Sequence, residues 1–256
     1  MTSTPDRVSF DLLIEDAGAQ GCLAHIPSLP GLCFRASHSE EAKATAPAWI
    51  AEYAAWLRAE ALTDLTSETS RCAEIESGSG VQIVVAEHVA GAPVWESGNA
   101  AVLFERDLSP LDDAVVRAQL RFTRRVFERV RGGVIRLSKT QRGVRPAPDR
   151  RSVDETLEHV GNCVWWYCSR IDDELPEPEE PPDEDPLDRI DRLFEIAEAF
   201  LLSVPFCERA SVHVPSRFPT ADSEERWTHA KVCRRQAEHA WTHFQGRGLR
   251  SSMPQH

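Results

Sequence analysis

The sequence predicts an α+β protein: a small α/β unit over residues 1–106, then an up-down four-helix bundle over residues 107–256. Three observations lead to this. Apolar and polar residues alternate over Val8–Glu15, and Val81–His88 reads as a second strand-like run, both rich in β-branched and apolar residues. From Ser109 onward, apolar residues recur every three or four positions in four successive stretches with helix start signals. Between the second and third stretches lies a Pro-broken acidic run, Asp172–Pro186, whose composition bars it from a core. Four consecutive amphipathic helices bury their stripes most economically against one another.

In chain order, Val8–Glu15 is the first strand and Gly21–His25 its hairpin partner. Pro27-Ser28-Leu29-Pro30-Gly31 turns into a short strand, Leu32–Ala36. Ser37 with Glu40 is a capping-box pattern for a helix ending near Ala61, and Pro47 inside it is expected to kink it or delay its start. A Thr/Ser-rich connection, Thr63–Gly80, precedes the strand Val81–His88, after which Pro93–Trp95 and Ala100–Glu105 add extended pieces. Ser109-Pro110 opens the first bundle helix, which carries Val115, Phe122, Val126 and Val130 and stops at Gly132-Gly133. Ser152 and Glu155 box the second helix, whose stripe is Val153, Leu157, Val160, Val164, Tyr167 and Ile171. Asp185-Pro186 starts the third, with Leu187, Ile190, Leu193, Phe194, Ala197 and Leu201 on one face. The fourth opens near Asp222, with Glu225 three residues on, and runs to about Gly246.

Composition narrows the function classes. A chain of 256 residues, 41% hydrophobic, can bury a core without staples. No stretch approaches the roughly 18 apolar residues that span a membrane. The opening MTSTPDRVSFDLLIED shows neither the basic nor the apolar region of a signal peptide. Seven cysteines without a Cys-x-x-Cys pair read as reduced thiols, and a cytoplasmic location is expected. Of the net charge of −12, nine negative charges fall in Asp172–Pro186, which holds no base. The remainder is nearly neutral, so no basic surface marks nucleic acid as a partner. The acidic run itself reads as a solvated spacer between helices.

The chemistry-bearing pattern is His239-Ala240-Trp241-Thr242-His243 on the fourth helix. Residues four apart lie one turn apart on one side, so both imidazoles reach a common cation. On a helical wheel Ala230, Cys233, Ala237, Ala240 and Phe244 form the apolar side, while Thr228, Lys231, Arg235, Glu238 and Thr242 form a polar side. The two histidines fall on the border between them. A third ligand must come from another helix, and His159, flanking the stripe of the second helix, is the candidate. Cys163, one turn further on, is a possible additional ligand, or else a small buried hydrophobe. His25, His38, His88, His213 and His229 read as surface or structural residues. Ligation needs neutral imidazoles, so metal affinity is expected to fall as pH drops through about 6.5.

Two stretches, SVDETLEHVGNCVWWY at Ser152–Tyr167 and WTHAKVCRRQAEHAWTH at Trp227–His243, resemble the DinB/YfiT-like superfamily over roughly Asp107–Gly248. The resemblance implies a three-histidine site for a divalent metal at His159, His239 and His243 in a four-helix bundle. Many relatives carry an acid directly after the first histidine of the last helix. Ala240 takes that position here and Glu238 precedes the pair, so the resemblance implies no carboxylate base. The N-terminal stretches FDLLIED, GCLAHIPSLPGLCFRAS and HSEEAKATAPAWIAEYAAWL resemble the HicB-like antitoxin fold. A helical bundle stands where typical antitoxins carry a DNA-binding module, so this second resemblance speaks to fold more than to function.

Two functions are expected from these readings. The first is a metal-dependent enzyme, a low-molecular-weight-thiol S-transferase by resemblance or otherwise a hydrolase. Its cofactor is zinc by default, with nickel, iron or manganese as alternatives. Trp166, Arg170 and Trp241 would shape its substrate pocket. The second is a non-catalytic, antitoxin-like module in which the N-terminal unit recognises a protein partner and the bundle is a metal-stabilised scaffold. A homodimer is expected in either case, because an exposed edge at Val8–Glu15 invites strand pairing.

Overall fold

The computed structural model describes residues 8–75, 80–91, 102–217 and 225–244. The protein is α+β, with a four-stranded mixed sheet in the order β3-β2-β1-β4. β1 (Val8–Asp16) pairs antiparallel with β2 (Cys22–His25), β2 antiparallel with β3 (Cys33–Ala36), and β1 parallel with β4 (Val81–Ala90). A parallel pair needs a crossover, and α1 (Ser39–Ala59) and α2 (Ser67–Ala73) supply it. β1 is therefore an interior strand, which overturns the exposed edge expected at Val8–Glu15; the edges are β3 and β4. Pro93–Trp95, Ala100 and Ala101 lie outside the described residues. Val102–Phe104 form no strand and lead into a 3₁₀ turn at Glu105–Leu108.

Local chemistry explains most element ends and shifts a few of them. The cap of α1 is His38, whose Nδ1 accepts from the Glu41 N–H, one residue later than the expected Ser37–Glu40 box. Pro47 lies inside α1 without delaying its start. It sits beside exposed Lys43, whose carbonyl is the one left without a helical donor. The Thr/Ser-rich connection hides α2, capped by reciprocal hydrogen bonds between Thr66 and Thr69. In the helical part, α3 (Asp113–Val134), a short α4 (Lys139–Gly143), α5 (Val153–Cys168), α6 (Pro186–Ser203) and α7 (His229–Phe244) follow. The Ser152–Glu155 box and the Asp185 cap of α6 form as expected, and both apolar stripes are buried. α7 begins at His229, with Thr228 Oγ1 accepting from the Lys231 N–H. Of the expected earlier start, Asp222 lies outside the described residues, and Glu225 precedes the helix.

α3 and α5 each pack against both α6 and α7, so the four long helices close a ring. The sheet joins this ring through a shared core. Tyr53 and Trp56 of α1 meet Phe122 of α3 and Trp241 of α7, with ring centroids 5.1 to 6.0 Å apart. Gly31, in the turn before β3, has φ +76°, and an added Cβ would fall 2.2 Å from the Phe122 ring and 2.9 Å from the Ala237 carbonyl oxygen. Only glycine lets this turn approach the helices so closely. The Tyr53 hydroxyl closes the same junction by donating to the Pro30 carbonyl at 2.7 Å.

The acidic run is bound to the helices rather than free. Leu175 is buried, Arg217 bonds Glu177, Arg192 bonds Glu184, and Arg189 reaches Glu180. Asp185 caps α6 through the Leu187 N–H and receives both Nη atoms of Arg142, itself 5% exposed. The run is a loop between α5 and α6 with much of it exposed, and its like charges are tolerated because arginines of α4, α6 and the loop at Arg217 pair with them. Asp185→Ala removes a helix cap and leaves buried Arg142 with Asp154, 3.3 Å away, as its remaining carboxylate, and is expected to cost roughly 1–3 kcal/mol by denaturant titration. A loss within experimental error would show that the Asp185 cap and its pair with Arg142 do not hold the start of α6.

Candidate metal centre

α5 and α7 are fixed against each other by packing and by Gln236, whose Nε2 donates to the Val164 carbonyl at 3.1 Å. Across this contact, one turn of α5 carries His159 and Cys163, and one turn of α7 carries His239 and His243. The donor atoms of His159, Cys163 and His239 all lie within 4.8 Å of one another. The Nε2 atoms of His159 and His239 are 3.2 Å apart, and the Cys163 Sγ is 3.8 Å from His159 Nδ1. His243 adds its ring edge-on, with centroids 4.4 Å from His239 and 5.0 Å from His159. Comparison with protein families, curated proteins and solved structures finds no match for this chain.

The donor set fits a divalent ion. Two nitrogens bound at about 2.0–2.1 Å to one tetrahedral ion lie roughly 3.3 Å apart, close to the observed His159–His239 separation. Without an ion, the same contact is a hydrogen bond in which one neutral imidazole donates and the other accepts. All three imidazoles are held neutral. Burial pushes His159 down to about 4 and His243 down to about 3, with Arg151 adding to both, and His239 falls well below its usual value through burial and its two histidine neighbours. Proton competition for the metal thus moves to the acid side of the expected 6.5. Burial raises the Cys163 thiol to about 11.

Glu238, the acid preceding the histidine pair, faces the sheet instead of the centre. Its Oε1 accepts from His25 Nδ1 at 2.7 Å, and Arg234 Nη1 lies 3.2 Å from its Oε2. Arg234 also makes a two-pronged contact with Asp107, at 2.6 and 3.1 Å. His25 Nε2 stands 3.2 Å from Glu15 Oε1, and Arg235 lies 3.5 Å from Glu238 and 3.9 Å from Glu15. Three carboxylates, two guanidiniums and one imidazole are thus enclosed between β1, β2, the turn at Glu105–Leu108 and α7. The two carboxylates raise the His25 pKa against its burial, and His25 with the arginines holds Glu238 down at about 2.

This network corrects the wheel reading of α7. Lys231, Arg234, Arg235 and Glu238 are all buried, so most of the polar side of the helix is a buried polar seam. His25, read as an ordinary histidine, stands at its centre. Its place was hidden because its partner Glu238 is 213 residues away. The expected pocket residues separate. Trp241 is buried in the aromatic junction with Tyr53, Trp56 and Phe122, so it lines the core. Arg170 is fully buried, with Nε donating to the Trp166 carbonyl and Nη1 3.8 Å from Glu225. Trp166 is half-buried, its ring 4.6 Å from the Arg170 guanidinium and 5.7 Å from Trp227.

Proposed function

We propose that the chain is a divalent-metal-binding protein whose helical part is an up-down bundle of the DinB/YfiT-like kind and whose N-terminal unit is HicB-like. The observation that supports this best is the convergence of His159, Cys163 and His239, flanked by His243, between two packed helices. Zinc is the first choice for these donors, with nickel, iron and manganese behind it. When bound, the ion supplies a Lewis-acid position that lowers the pKa of a thiol or water held there. The reaction that follows most directly is S-transfer from a small thiol to an electrophile, with hydrolysis second.

The chain's own residues have separable parts in this reading. His159, His239 and His243 stay neutral and offer lone pairs. Tyr167 backs His239 with its ring at 5.8 Å. The Asp107–Arg234–Glu238–His25 seam fixes the rotation of α7 and so the direction of its histidines. Glu238 is bonded within that seam, so it is not the base that takes the proton of an incoming thiol. Protein purified without chelators is expected to carry stoichiometric metal. His239→Ala is expected to lose it while keeping the wild-type circular dichroism. Wild-type protein that neither carries nor takes up metal rejects the reading.

A second reading is supported by the outer edge of β4, where Val84 and Val85 are 41% and 39% exposed. Here the N-terminal unit binds a protein partner, or a second copy, along that edge and the bundle is a metal-stabilised scaffold. The full chain is the right sample, because residues 1–107 alone would strip Glu15 and His25 of their α7 partners. Light scattering is expected to give twice the 28.7 kDa chain mass, and the monomer mass at micromolar concentration rejects the homodimer. Among the described residues no helix is long and apolar enough to cross a membrane.

A further inference from the structure

We propose that Cys163 is itself a ligand of the metal centre, bound as a thiolate, so that the protein's own sulfur supplies the anionic donor. The inference rests on the metal reading above and extends it to the identity of that donor. The placement is the first ground. His159 and Cys163 on α5 face His239 and His243 on α7 as two pairs, each spaced four residues, across one helix contact. The Cys163 sulfur belongs to the set of donor atoms that converge within 4.8 Å. Three donors, His159, Cys163 and His239, converge from two packed helices, with the His243 ring beside them. A set of three protein donors is the kind that keeps one position of a tetrahedral ion open.

Charge is the second ground. Arg151 acts electrostatically on all three imidazoles, Arg235 on His239 and Arg35 on His243, and the converging set contains no carboxylate. Glu238, the acid adjoining His239, is bonded to His25 and Arg234. A dication held only by neutral imidazoles beside arginines lacks an anionic donor, and the Cys163 sulfur is the group in place to provide one. On binding, the S–H bond breaks, its proton goes to solvent and a metal–sulfur bond forms. The thiol has no better partner: among the described residues its Sγ contacts are with the His159 ring, at 3.8 and 4.0 Å. Other buried thiols are engaged elsewhere, Cys72 with the Ile50 carbonyl, Cys33 with Thr242 and Cys168 with Gln236.

Two consequences follow. A soft thiolate donor selects zinc or cobalt over manganese. With His159, Cys163 and His239 as the converging donors, one position stays available for the external thiol or water of the metal reading above, now beside a bound thiolate. Cobalt(II) titrated into the metal-free full chain tests this without reference to activity. The wild type is expected to show visible ligand-field bands together with a near-ultraviolet thiolate-to-cobalt charge-transfer band. Cys163→Ser and Cys163→Ala should each keep the ligand-field bands, lose the charge-transfer band and weaken zinc binding by roughly ten-fold or more. Ligand-field bands without charge transfer in the wild type, or a charge-transfer band that survives in both variants, overturns Cys163 as a ligand while leaving the metal centre standing. No ligand-field bands in any form means that the metal reading has failed, and the inference falls with it.

Discussion

Arg234→Ala is expected to destabilise the protein by about 3–5 kcal/mol, the cost of breaking a buried ion pair and leaving its partners uncompensated. Arg234 makes the two-pronged contact with Asp107 and a further one with Glu238, and none of the three side chains is more than 7% exposed. Removing the guanidinium leaves Asp107 with only the Phe104 N–H as a hydrogen-bonded partner among the described residues. For a chain of this size the melting temperature should fall on the order of 10 °C. Arg234→Lys keeps the charge but cannot reproduce two parallel hydrogen bonds, so it should fall between the two. Arg121→Ala is the control, because its pair with Asp64 is 52% and 70% exposed and should contribute less than about 1 kcal/mol. If denaturant titration gives the two alanine variants equal losses, the seam between sheet and bundle is not what holds α7 in place.

The metal-free protein should lose stability as pH falls from about 6.5 towards 3–4. His159 at about 4 and His243 at about 3, with His239 also depressed, sit below the unfolded value of about 6.5. In that window the unfolded chain binds protons that the folded protein refuses, so acid favours unfolding, by up to about 1.4 kcal/mol per pH unit for each such group. His25 has the opposite sign. Its folded pKa is raised, so its contribution is complete below about 6.5 and is lost as pH climbs through the folded value. Glu238, held at about 2, keeps its full contribution down to its ordinary value of 4.5 and loses it progressively as pH falls from there towards 2. Thermal stability measured from pH 4 to 9 should therefore fall on the acid side through the three-histidine cluster together with buried His229, whose pKa is also lowered. On the alkaline side the loss from His25 is opposed by buried Lys231, whose pKa is lowered. Replacing His159 and His243 together by Asn should make the acid side shallower, and His25→Gln should remove the downward contribution on the alkaline side. An acid side unchanged in the double variant removes the cluster as its cause.

Periodicity and capping chemistry are local, and they made most of the elements legible. The stripes of α5 and α6 are buried residue for residue, and the Ser152–Glu155 box and the Asp185-Pro186 start form where those residues place them. The same spacing put His239 and His243 on one face of α7, and the resemblance of the helical part supplied His159; the structure brings their rings together. What the sequence by itself determined is thus which positions are apolar, where helices begin, and which donors share a helical face.

Only the tertiary structure decided what covers each face. The run at Val8–Glu15 has the composition of an edge or an interior strand alike, and it became interior because β4 docks beside it after a crossover of two helices. The polar residues of α7 look like a solvated face until Glu15, His25 and Asp107, each more than 100 residues away in the chain, arrive to neutralise them. The acidic run is the exposed loop its composition implies, but the arginines of α6 and of the loop at Arg217 that pair with it are set by the fold. The physical reason is common to all three. Burial of a charge is decided by its partner, and a partner distant in the chain leaves no trace in local periodicity.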